Sequence, residues 1–206
     1  MWRDNKAWQL ANSGRPLTQA FTNELGGDQY GGMLAFSAAI YRWLSLDVHR
    51  PYLILILNAA AAACGTLFLW KAARLWFGEA VADKTAWIFA LYPEAVLLSG
   101  THMREAYVIP AVALLFYSLA ELQTGQRSWL AWLSGSVGLL FFFHPPTALV
   151  ALLVAAGLWY LEPAQKRSWK PVALFGGVFL IALLMVIAIW SRLPSLQATK
   201  PTDIIF

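Results

Sequence analysis

The sequence predicts an all-α membrane protein, a polytopic bundle of transmembrane helices. Three observations carry this. Of 206 residues, 59% are hydrophobic and only 13% are charged, where a water-exposed domain averages about 25% charged. Mean hydropathy is +0.56. Apolar runs of near-spanning length recur along the chain, with tryptophans at their ends.

Taken in order, residues 1–32 are polar and mildly amphipathic, with no apolar run near Met1 that would mark a signal peptide. They read as a loop segment, on the exoplasmic side if the stretch that follows lies along the outer surface and on the cytoplasmic side if that stretch spans. The transmembrane domain is expected over 33–191. Its first stretch, "MLAFSAAIYRWLSL" (33–46), is short and carries Arg42, so it either lies in the interface or spans. Six spans are expected at 52–70, 85–99, 105–121, 129–143, 146–161 and 171–191. Trp43, Trp70, Trp129, Trp159 and Trp190 fall at or near their boundaries, the depth that amphipathic indoles prefer. Residues 192–206 form an exoplasmic tail or open a further loop.

Direction follows from the basic residues of the short loops. One alternating set holds Lys71, Arg74, Lys84, Arg127, Lys166, Arg167 and Lys170; the other holds Arg50, Arg104, Arg192 and Lys200. The larger set is placed in the cytoplasm. His49, His102 and His144, the only histidines, then all lie outside. The basic residues are scattered, with no basic patch among exposed aromatics, which argues against nucleic acid as a partner. The single cysteine, Cys64, cannot form an internal disulfide and reads as a small apolar residue.

Chemistry is expected where charge meets these outer ends. In "SGTHMREAY" (99–107), Thr101 is placed to cap a helix and Glu105 to occupy its first turn. Arg104, with that helix start, could bind an anion such as a lipid phosphate. Glu94, directly after Pro93, is the acidic residue expected inside a span, in a helix end the proline disturbs. "GGDQYGG" (26–32) presents Asp28 and Tyr30 on a glycine-rich loop. Each has a plain structural alternative: a capped helix, a carboxylate reaching the interface, a linker turn. "NAAAAACG" (58–65) offers a small face for close helix packing, with Asn58 able to hydrogen-bond across it. The histidine spacing shows no metal-ligand pattern, and the sequence shows no Ser-His-Asp, CxxC or Walker arrangement.

The order of "RDNKAWQLANSG", "DQYGGMLAFSAAIYRWL", "ARLWFG" and "ALYPEAVLLSGTHMREAYVIPAVALLFYSLAEL" resembles the C-type polytopic membrane glycosyltransferases, family 39-like, of the protein O-mannosyltransferase and aminoarabinose-transferase type. The resemblance covers about residues 1–160 and is one of pattern, without an invariant signature. It implies transfer of a sugar from a polyprenyl-phosphate donor to an acceptor glycan, lipid or protein, on the exoplasmic face of the inner or plasma membrane. It implies Asp4 or Asp28 as the catalytic base. It further implies Arg104 and His102 on the donor phosphate, Glu105, Glu94 and Tyr30 in support, and in some members a divalent metal. Family members carry a span before the first outer loop and more spans in all, so the chain is expected to be a partial one. The alternatives are a non-catalytic integral membrane subunit or a small transporter-like protein; bare span midplanes speak against transport.

Overall fold

The structure is a computed structural model and describes residues 2–22, 30–45, 48–126 and 128–161. Asp28, the expected span at 171–191 and the tail 192–206 lie outside the described residues. Among the described residues every regular element is helical: α1 (Trp2–Asn12), a 3₁₀ turn (Leu17–Phe21), α2 (Gly32–Leu44), α3 (Tyr52–Phe77), α4 (Glu79–Leu91), α5 (Pro93–Ser99), α6 (Glu105–Gln123), α7 (Trp129–Phe143) and α8 (Pro145–Leu161). Contacts divide the chain into two units, residues 1–151 and 152–206. The second is described only as far as residue 161, the C-terminal part of α8.

Among the described residues two helices, α3 and α6, are long and apolar enough to cross a membrane. Helices α7 and α8 are apolar but shorter. The expected span at 85–99 is not one helix. It is α4 and α5, parted at Tyr92, whose extended backbone (φ −66°, ψ 116°) precedes Pro93 at the first turn of α5. A proline disfavours helical backbone in the residue before it and removes the N–H that would continue the ladder. Helix α2 has 13 residues, about 20 Å at 1.5 Å per residue, well short of a hydrocarbon core of about 30 Å.

Helix α3 packs along α6 and α4, and α6 along α7. Small residues permit the first contact: a Cβ built on Gly65 would lie 3.0 Å from the Pro110 Cα of α6. Ser136 of α7 donates to the Ala111 carbonyl of α6 at 2.7 Å. Asn58 of α3, fully buried, donates from Nδ2 to the Thr101 carbonyl at 2.5 Å, tying the turn before α6 to α3.

Helices α1 and α2 form a second packing pair. On α1 the buried positions are Asp4, Ala7, Leu10 and Ala11, one face at helical spacing. On α2 they include Leu34, Ser37, Ala38 and Tyr41, again one face. Arg42 closes the C-terminal end of α1, donating to the carbonyls of Leu10 (3.0 Å), Ala11 (3.2 Å) and Arg15 (2.7 Å). A basic side chain there satisfies carbonyls that the helix leaves open.

The start of α2 depends on two glycines. Gly31 has φ 73°, and a Cβ on it would meet the Ala20 carbonyl oxygen at 2.4 Å; one on Gly32 would meet the Phe142 carbonyl oxygen at 2.0 Å. Gly32→Ala should therefore force backbone apart and cost about 1–3 kcal/mol of stability. Thermal unfolding in detergent, followed by circular dichroism, should show a lowered Tm. Gly138→Ala, with nothing within 4 Å of its built Cβ, should not lower it.

Candidate functional site at the histidine end of the bundle

Periodicity brings a carboxylate into the α1–α2 core. Asp4 lies one turn before Ala7 on the buried face of α1 and is 8% exposed. A buried carboxylate must be matched by donors, and three segments supply them. The Tyr41 hydroxyl of α2 donates to Oδ1. The His49 Nε2, from the turn before α3, lies 2.9 Å from Oδ2. The His102 Nδ1, from the turn before α6, lies 3.9 Å from Oδ1.

The His49 approach is a close contact and not an aligned hydrogen bond, since Nε2 is buried without a hydrogen-bond partner. Aromatic packing fixes its ring. Trp8 of α1 stacks on it at 5.2 Å and 22°, and Tyr41 meets it edge-on at 5.1 Å. Burial first, then the hydrogen bond to Asp4 and its charge, push the Tyr41 phenol well above its ordinary range. Tyr41 therefore stays protonated and remains a donor.

His102 has a second partner: its Nε2 and the Ser37 Oγ of α2 share a hydrogen bond of 2.7 Å. The sequence Ser37–His102–Asp4 follows the order of nucleophile, base and acid in hydrolases. Ser37 is fully buried, however, and 3.9 Å separates His102 from Asp4. No hydroxyl is presented to a substrate, and Ser37 instead holds the imidazole in place.

Beside this set lies a second one. The Arg104 guanidinium sits over the Tyr30 ring, 5.0 Å from its centroid, and its Nε is 3.4 Å from Glu105 Oε1. Tyr30 meets His144 edge-on at 5.0 Å. The His144 Nδ1 pairs with Thr147 Oγ1 at 2.7 Å in the first turn of α8. Asp4, Tyr30, His102, Arg104 and Glu105 thus come from three segments, α1, the residues before α2 and the start of α6, that meet at one end of the first unit.

Other expectations change. Glu94 is exposed and accepts from the Tyr92 hydroxyl at 2.8 Å, in the first turn of α5. It joins neither set. Thr101 does not cap α6; its hydroxyl donates back to the Leu98 carbonyl at 3.0 Å and closes α5, while α6 begins at Glu105, after Arg104 at the N-cap position, without a side-chain cap. The buried acid in a span-length helix is Glu121, 2% exposed, near the opposite end of α6. It accepts from Tyr117 and, at 2.6 Å, from Ser128. His49 and Tyr41 had no signal in local sequence, because each gains its meaning only from Asp4. Among the described residues, no group of three His, Cys, Asp or Glu side chains could hold a metal ion.

Losing the charged acceptor of Tyr41 should matter to stability. Asp4→Ala should cost about 1.5–3 kcal/mol, whereas Asn5→Ala, on the exposed side of α1, should stay within about 0.5 kcal/mol. Urea unfolding in detergent checks both. Comparisons with protein-family models, with characterised proteins and with solved structures find no match to this chain, so the functional reading rests on its own residues.

Proposed function

We propose that the chain is the membrane domain of a glycosyltransferase. It moves a sugar from a polyprenyl-phosphate donor to an acceptor hydroxyl on the exoplasmic face of the inner or plasma membrane. The observation that supports this most is the meeting of Asp4 with His49 and His102, two residues from Arg104. Displacement at an anomeric carbon needs a proton acceptor for the incoming hydroxyl and positive charge for the departing phosphate. The Asp4 set is suited to the first task. Arg104, with a guanidinium that binds phosphate in a bidentate manner, is suited to the second.

The bilayer setting is supported by the apolar side chains that the helices turn outward. Ile56 of α3, Trp87, Ile88 and Leu91 of α4, and Leu97 of α5 are all more than half exposed. In water so many large apolar side chains turned outward would drive association; in lipid they are solvated. On this reading α3, α4–α5, α6, α7 and α8 cross the membrane, and α2 lies in the outer interface. The acceptor is a glycan, a lipid or a protein.

The test is donor binding by the full chain in lipid nanodiscs, with a polyprenyl-phosphate sugar as ligand. The expected result is saturable binding that weakens about 10- to 100-fold in Arg104→Ala, the loss of one charge-assisted contact. No binding, or equal binding by the variant, would leave a non-catalytic membrane subunit as the better reading.

A further inference from the structure

The transferase reading, on which this step rests, leaves open which atom at the site receives the acceptor's proton. Asp4 is poorly placed for it. Tyr41 occupies its Oδ1, His49 lies against Oδ2, and only 12% of the side chain is open. His102 is also engaged on its Nε2, by a buried serine. Tyr41 is fully buried and is itself a donor to Asp4. His49 differs from all three: a quarter of its side chain is open, twice the share of Asp4 or His102.

We propose that His49 takes the proton of the acceptor hydroxyl and that Asp4 is the positioning residue that holds its ring. A carboxylate facing one imidazole nitrogen fixes the tautomer, so that the other nitrogen is left unprotonated and points away. With Nε2 turned to Asp4, that other nitrogen is Nδ1. The misalignment of the Asp4–His49 contact is the usual condition of such pairs before substrate binds. Trp8 and Tyr41 make a slot for a flat ring, which sets its plane.

The step balances as follows. The acceptor oxygen forms a bond to the anomeric carbon, and the bond from that carbon to the phosphate oxygen breaks. The electron pair leaves with the polyprenyl phosphate. The hydroxyl proton passes to His49 Nδ1, the imidazolium is stabilised by the Asp4 carboxylate, and the proton then leaves to water through the open side of the ring.

The experiment measures single-turnover transfer by the full chain in nanodiscs, with a polyprenyl-phosphate sugar as donor, for wild type, His49→Gln and His49→Ala. Both variants should keep donor binding within about twofold and lose about 10²- to 10⁴-fold in rate, the range of a general base. Added imidazole should restore part of the rate to His49→Ala, and 1,2,4-triazole, of the same size but far less basic, should not. Equal restoration by the two, no restoration by imidazole, or a His49→Gln rate above about a tenth of wild type would overturn the proposal. Absence of transfer by the wild-type chain would instead sink the transferase reading itself.

Discussion

A buried carboxylate constrains everything around it. Asp4 lies in the α1–α2 core, where an unmatched charge would cost several kcal/mol. Its neighbours are therefore required to be donors. That requirement brings the Tyr41 hydroxyl, the His49 ring and the His102 ring from three separate segments to one point. The same contacts dock α1, whose other end Arg42 holds by the carbonyls of Leu10 and Ala11 and, just beyond the helix, of Arg15. Helix α1 has 11 residues, too short to be stable alone in water, so its place depends on this docking.

The ends of the first unit differ in kind. At one end, turns before α3, α6 and α8 carry His49, His102, Arg104 and His144, all engaged with α1, α2 or Tyr30. At the other, indoles anchor the helix ends: Trp70 donates to Asp83 and Trp76 to Gln123, each at 2.8 Å. Lys71 lies over Tyr117, 5.4 Å from its centroid. The first arrangement converges ionisable groups on one place; the second resembles a set of interface anchors, each satisfied by a neighbour.

Much of the fold was legible because composition and apolar runs are averages over many residues. The helical class, the long helices near 52–70 and 105–121, and the use of Asn58 and small residues at the α3 contact were all readable. The break at Tyr92 was half readable: Pro93 announced a disturbance, but its effect falls on the residue before it. Helix α1 was read as loop because a face made of Asp4, Ala7, Leu10 and Ala11 carries little apolar signal. Asp4 and His102 were legible as candidates from residue type and resemblance. Their partnership was not, since 98 positions separate them and only folding brings both His102 and His49 to Asp4. Glu121 was missed because a carboxylate at a helix end normally reaches water, and here Tyr117 and Ser128 hold it inside.

The account stands on α1 lying against the turn that carries His49. The most direct measurement is proximity of Trp8 and His49, whose rings stack at 5.2 Å. In a Cys64→Ala background, Trp8→Cys and His49→Cys would be introduced together, in membranes, and treated with a short thiol-to-thiol cross-linker. The account predicts an intramolecular bridge between positions 8 and 49, found by mass spectrometry of the digested chain. Two thiols that each react singly yet never bridge would place α1 elsewhere, and with it Asp4, and would contradict the site.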